Sequence, residues 1–570
     1  MTAENIEIQK YRLKEKWLDR WDEAVKLWSP FVKLRTPLFC ETEQDEKREG
    51  LSGSFAMIRL TDFSVVISLR QIESIGLGDY ALEILAHEAG HHVYAPGDLA
   101  DSARVIARIQ KAVYGYETKA PMIANIYEDL LINDRLFQEH SLRMDKVYMA
   151  VKNSADDEFW NFYMRTYEIL WALPRKTLTA SEVKEETEGD AILASRVIRN
   201  FSRNWVRGAG EFAAICYRYL LESTDRPESI DSWMDAVEPG NGETIPAGIT
   251  EMDDDDLNSA SAGAVRGRLS PDGTPDQPQS KPQKSYREPF EYGQILRAIG
   301  VNLGDAELAA RYYTERAIPY LIPFPTVKQP ESKEQNPEGV TEWDISSPFE
   351  DLSMFDSLLR SPVLIPGYTT VERVTGTSPG NDPAREPIDL DIYIDSSGSM
   401  PDPSVHTSYL TLAGTIISLS ALRAGSRVQA TLWSDTDQFI TTRGFVRDRK
   451  EIMSILTGFF GGGTAFPIHM LRKTYIENKP SSRKIHILVI SDDGVTTMFD
   501  KDEKGNSGLK IAGTSLKKCG AGGTFALNIY SMDDLLKTAE SMGWNIYPVT
   551  GWDELIKFSR DFVKKHYEVS

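Results

Sequence analysis

In the segment AHEAGHHVY, His87 and His91 stand four residues apart, so on a helix both imidazoles leave one face and can share a metal ion. Glu88 sits beside them. In this HExxH arrangement zinc takes two imidazole nitrogens and lowers the pKa of its water towards ~7, while the glutamate accepts the proton and passes it to a leaving amine. The preceding residues, ALEILA, are apolar, as a buried site helix requires. His92 faces another side of the same helix and reads as structural.

A second constellation uses oxygen alone. The segment IDLDIYID ends in Asp395, and Ser397 and Ser399 follow in a DxSxS pattern. The glycine loop of FFGGGTAFP presents Thr464, and ILVISDDG places Asp492 and Asp493 at the end of a further predicted strand. Carboxylate and hydroxyl oxygens are hard ligands, which suit Mg²⁺ rather than zinc. No GxxxxGK[ST] phosphate loop occurs in the sequence.

These residues need elements to position them. Residues 4–28 read as an amphipathic helix with Trp17, Trp21 and Trp28 on its core stripe. Strand composition at 55–60 and 64–69 leads into the HExxH helix, and helical segments continue to about residue 222. From 236 to 287 the chain turns to Pro, Gly, Ser and Asp, including EMDDDDL, which reads as a solvated acidic linker. Residues 288–386 hold a predicted helix, DAELAARYYTERAIPYL, and a Pro-rich break, and form an intermediate segment packing on either neighbour. From 387 to 570 strands and helices alternate, which predicts a parallel, doubly wound α/β sheet with sites at the carboxyl ends of its strands.

The 570 residues carry 64 Lys+Arg against 85 Asp+Glu, a net charge of -21 that disfavours nucleic acid and anionic membranes as partners. Cys40, Cys216 and Cys519 are too far apart in sequence for a CxxC metal pair or an evident disulfide framework, which fits a reducing cytoplasm. The charged opening MTAENIEIQKYRLKEKW has no apolar signal region. The uncharged run from Pro403 to Leu422 approaches membrane length, but its seven Ser/Thr make it a buried core helix, and no membrane span is expected.

Resemblances sharpen these expectations. The metzincin continuation HExxHxxGxxH is absent, since Tyr94 and Gly97 occupy its glycine and third-ligand positions and Asp98 suits a helix cap. The downstream ANIYEDLLIND resembles the gluzincin plan, which implies Glu128 as third zinc ligand, with Asn125 or Asp129 orienting an imidazole from behind. Asp395, Ser397, Ser399, Thr464 and Asp492 resemble the metal-ion-dependent adhesion site (MIDAS) of von Willebrand factor A (VWA) domains, with Asp493 a neighbouring alternative to Asp492. That resemblance implies a Mg²⁺ with one position open to a partner's acidic side chain.

The combination, together with WDISSPFEDLSMFDSLLRSPVLIPG, is similar to a bacterial family of metallopeptidase-like chains with a VWA-like domain. It implies a multidomain protein. An α-rich, zincin-like metallopeptidase domain of α+β class spans 1–235, and a Rossmann-like α/β VWA domain spans 387–570. It also implies a MoxR-type AAA+ ATPase as partner and a protein or peptide as substrate, paired with the strand at 55–60 or 64–69. The alternative is a non-catalytic adaptor whose zinc site is structural or vestigial.

Overall fold

The computed structural model describes residues 3–51, 54–151, 157–222, 246–252, 286–324, 326–328, 333–379, 385–478, 482–530, 534–551 and 553–562 except 556, 559 and 560. The chain divides into two units, Met1–Glu315 and Arg316–Ser570.

The first unit runs α1 (Ala3–Trp28), β1 (Leu38–Cys40), α2 (Glu43–Glu49), β2 (Ala56–Arg59), β3 (Ser64–Ser68), α3 (Leu69–Ile75), α4 (Ala81–Val93) and α5 (Leu99–Ala112). It continues through α6 (Ala120–His140), α7 (Met144–Ala150), α8 (Glu158–Leu170), α9 (Glu185–Asn200), α10 (Trp205–Glu222), α11 (Pro289–Ala298) and α12 (Asp305–Ala317), within which the division falls. Trp17 and Trp21 are buried, as the aromatic spacing on α1 requires. The sheet is small: β3 lies at its centre, parallel to β1 and antiparallel to β2. Pairing on both sides of β3 removes the stretch 64–69 as an edge for substrate, and leaves β2 as the strand with an outer edge beside α4.

Helix α4 packs against α1, α6 and β2, so its residues from Glu83 to His91 are all buried. Gly90 makes this approach feasible: a Cβ there would lie 2.7 Å from the Trp28 ring and 2.8 Å from Ile132. Trp28 then fixes the helix by donating its indole N–H to the Ala86 carbonyl at 2.6 Å. The next helix, α5, begins where Asp98 accepts the amides of Ala100 and Asp101, both at 2.9 Å, as expected of a cap.

Most of the expected linker, 236–287, lies outside the described residues, but residues 246–252 do not behave as a solvated tether. Ile249 and Thr250 are buried, and Gly248 N donates to Glu315 Oε1 on α12 at 2.7 Å. One isoleucine in a polar stretch is enough to anchor it, and bulk composition hides such a residue. The intermediate segment 288–386 is itself divided, with α11 packing on α5 in the first unit and residues from Arg316 onward joining the second.

The second unit contains β4 (Thr326–Lys328), β5 (Lys333–Glu342), α13 (Met354–Arg360), β6 (Val371–Pro379), β7 (Arg385–Pro387), β8 (Asp389–Asp395), α14 (Tyr409–Arg423), β9 (Val428–Trp433), β10 (Phe439–Thr441) and α15 (Arg449–Leu456). After these come α16 (Ile468–Leu471), β11 (Ile485–Ser491), α17 (Gly508–Cys519), β12 (Gly520–Leu527), α18 (Asp534–Ser541) and β13 (Trp544–Pro548). Its main sheet has the order β10-β9-β8-β11-β12-β13, parallel throughout except for the antiparallel edge β10.

Alternation along the strands gives this sheet two apolar faces. Ile392, Ile394 and Ile490 meet α14 at Gly414, whereas Tyr393, Val489 and Phe525 join the core that holds Ile511 and Ala512 of α17. The uncharged run 403–422 therefore folds largely as a core helix, and among the described residues no helix is long and apolar enough to cross a membrane. The chain is thus a multidomain protein of mixed α and β structure.

Candidate metal centres

His87 and His91 project from one face of α4, as their spacing requires, and are 5% and 0% exposed. Their Nε2 atoms are 3.3 Å apart, and Asp129 Oδ1 on α6 lies 3.4 Å from each. Bonds of 2.0–2.1 Å to a tetrahedral ion place neighbouring donors about 3.3–3.4 Å apart. An octahedral ion with the same bond lengths would bring them to about 3.0 Å. The donor triangle is therefore of a size that could hold a metal ion. Among the described residues it supplies three protein donors.

Asp129, expected behind the ligands, is the third donor, whereas Glu128, expected as the ligand, is not in the group. Adjacent residues on α6 point about 100° apart. Glu128 is buried, and its carboxyl is raised well above the usual range by burial and by the charges of Asp129 and Asp101. Burial also raises Asp129, while the neighbouring His87 and a hydrogen bond from Tyr163 hold it down. Burial lowers His91 to about 4, opposed by a backbone hydrogen bond at Ala95, which keeps the imidazole neutral as a ligand must be.

The expected orienting residue Asn125 makes no hydrogen bond through its buried amide. Asn133, one helical turn beyond Asp129 on α6, does that work. Its Nδ2 donates to Tyr167 OH at 2.8 Å and to Tyr148 OH at 3.0 Å, so its Oδ1 faces His87 Nδ1 at 2.8 Å. His87 Nδ1–H donates to that oxygen, and the Nε2 lone pair is turned towards Asp129 and His91. Spacing held the signal, since Asn125, Asp129 and Asn133 repeat at i, i+4 and i+8. The hydroxyls of Tyr148, Tyr163 and Tyr167 lie 3.0–3.2 Å from one another beside the group.

A pocket of about 60 Å³ opens on this centre, lined by His87, Glu88, Asp129, Asn133, Tyr148 and Tyr163 among others. That volume holds a few waters at ~10–15 Å³ each. Phe55, just before β2, lies in its wall. His92 stays outside, with Nδ1 3.0 Å from the Gly97 carbonyl and its ring on Phe63.

No protein-family model matches the chain, and no curated protein does. Among solved structures, the pilus adhesin SpaC from Lactobacillus rhamnosus GG aligns over 32% of this chain and 30% of its own at 13% identity, with a TM-score of 0.22. The chain spans less than a third of that adhesin's length.

In the second unit, Asp395 and Asp492 stand at the ends of the neighbouring strands β8 and β11, where the strand order reverses and such sheets open a crevice. Asp395 Oδ1 accepts Ser397 N at 2.8 Å and Oδ2 accepts Ser491 Oγ at 2.5 Å. Ser397 Oγ lies 3.1 Å from Ser399 Oγ, which donates to Asp492 Oδ2 at 2.5 Å. Burial raises Asp395 above the usual carboxylate range, opposed by Ser491 and Ser397 and reinforced by the Asp492 charge.

Thr464 lies with its methyl against Gly494, where an added Cβ would come within 2.5 Å of it, and among the described residues no hydrogen bond ties its hydroxyl to the cluster. The glycine loop before it is held by Gly398 N to Gly462 O at 2.8 Å and Gly461 N to Ser396 O at 2.9 Å. Asp492 is buried in the cluster and Asp493 is exposed, so the geometry places Asp492 in it. Carboxylate and hydroxyl oxygens of Asp395, Ser397, Ser399 and Asp492 thus meet in one hydrogen-bonded cluster.

Proposed function

We propose that the chain is a zinc-dependent endopeptidase of the HExxH class whose second unit is a VWA domain that binds a partner through a Mg²⁺-containing MIDAS. The observation that carries this reading is the triangle of His87 Nε2, His91 Nε2 and Asp129 Oδ1, 3.3–3.4 Å on each edge, with Glu88 in the same pocket wall. When bound there, zinc would act as a Lewis acid and make water acidic enough to attack near neutral pH. Glu88 would accept the water's proton and return it to the leaving amine. Asn133 holds the His87 tautomer, and the outer edge of β2 next to Phe55 offers backbone groups to an extended peptide.

The oxygen cluster at the ends of β8 and β11 supports the VWA reading, with an acidic side chain of a partner completing the ion's shell. A MoxR-type AAA+ ATPase is the partner this reading proposes. Three free, buried cysteines support placing the chain in a reducing compartment.

The adaptor alternative draws on the small volume of the pocket at the centre, about 60 Å³. Glu88→Gln separates the two readings. In an assay of a fluorogenic peptide library, the peptidase reading expects cleavage by wild type and none by the variant at unchanged metal content. Metal without cleavage by wild type, with or without the ATPase, would leave the adaptor.

A further inference from the structure

Between β5 and β6 the chain doubles back through residues 343–370, and its backbone is tied down along the way. Trp343 N donates to Thr370 O at 2.9 Å, Gly367 N to Trp343 O at 2.8 Å and Ser353 N to Val371 O at 2.9 Å. Val371 N donates to Ser357 Oγ at 2.8 Å, and Trp343, Ser357, Thr370 and Val371 are all buried. These anchors make the segment a fixed projection.

Its outer surface is apolar. Ile345, Phe349, Phe355, Leu359, Val363 and Tyr368 are 84%, 77%, 67%, 71%, 61% and 77% exposed. On α13, Phe355, Leu358 and Leu359 fall at i, i+3 and i+4 and form one exposed face opposite the buried Ser357. Scattered apolar residues on a surface need no explanation. An ordered segment that turns Ile345, Phe349, Phe355, Leu359 and Tyr368 outward does, because soluble surfaces rarely carry such patches unless something binds them.

The charges around the patch select the occupant. Residues 342–373 hold six carboxylates, Glu342, Asp344, Glu350, Asp351, Asp356 and Glu372, against Arg360 and Arg373. Both guanidiniums are spent within the segment, Arg360 on Glu342 at 3.7 Å and Arg373 on Asp356 at 2.6 Å. The rim is therefore acidic. A second copy would bring acidic rim to acidic rim, and an anionic bilayer would be repelled. The geometry points to a docking surface for a partner protein's amphipathic helix, apolar along its stripe and edged by Lys and Arg.

The test uses the full chain and two synthetic helices of about five turns, one of Leu and Lys and its counterpart of Leu and Glu. Fluorescence anisotropy should show the Leu/Lys helix binding and the Leu/Glu helix not binding. The double variant Phe355→Asp/Leu359→Asp should weaken binding at least tenfold, although it adds negative charge. Attraction by net charge alone predicts the opposite sign, so unchanged or tighter binding to that variant overturns the proposal. Equal binding of both helices does so too, as does a wild-type dimer in light scattering that the variant dissolves.

Both substituted side chains are exposed, so thermal unfolding of the variant should match wild type. A second variant, Glu350→Gln/Asp351→Asn, leaves the apolar face intact and should weaken binding while flattening its salt dependence. An unchanged salt dependence would remove the basic edge from the partner's description.

Discussion

At the scale of single residues, the centre turns on which carboxylate of the Glu128-Asp129 pair faces the imidazoles. Asp129→Ala should strip the metal, whereas Glu128→Gln should keep it, and metal analysis of the two purified variants distinguishes them. Asn133→Leu leaves the three donors in place but frees the His87 tautomer and ring. It should weaken metal affinity about 10–100-fold in a competition titration with a chelator. Unchanged affinity would reduce Asn133 to packing. The pair His87 and His91 with Glu88 was legible in the sequence because a helix fixes what four-residue spacing means. The choice between neighbours 128 and 129 was not, since it depends on the rotation of α6 about its axis, which packing against α4, α5 and α8 sets.

At the scale of elements, α4 is held close to α1 and α6 by the absence of one side chain. Gly90→Ala inserts a methyl where Trp28 and Ile132 already stand, so it should cost about 1–3 kcal/mol and lower metal affinity as α4 shifts. A thermal midpoint equal to wild type would contradict the close approach.

In the second unit, Asp391 is buried in β8 with Tyr475 OH, Tyr393 OH and Gln429 Nε2 at 2.8, 3.2 and 3.1 Å, and burial pushes its carboxyl up to about 7. A folded-state value above the unfolded one means the native state holds the extra proton, so this stabilising contribution is lost as pH rises towards 7. Asp391→Asn should therefore gain stability relative to wild type between about pH 5 and about pH 8. A constant difference across that range would sink the account. The strands and helices themselves were readable from alternation and capping residues, but the burial of Ile249 within an acidic, Pro/Gly-rich stretch was not, because one anchor does not alter a composition.

At the scale of the whole molecule, the chain has two units, one with the His87, His91 and Asp129 group and the other with a hydrogen-bonded cluster of carboxylates and hydroxyls, which the proposed function reads as two metal sites. They should load independently: Asp395→Ala should abolish Mg²⁺-dependent partner capture and leave the first centre's metal untouched. Sequence alternation foretold the α/β character of the second unit, whereas the division after Glu315 depends on contacts between segments far apart in the chain. Elemental analysis of purified wild type, His87→Ala and Asp129→Ala tests the first centre most directly. About one zinc per chain in wild type, lost in both variants, is the predicted result. Zinc absent from wild type, or retained by Asp129→Ala, would contradict it.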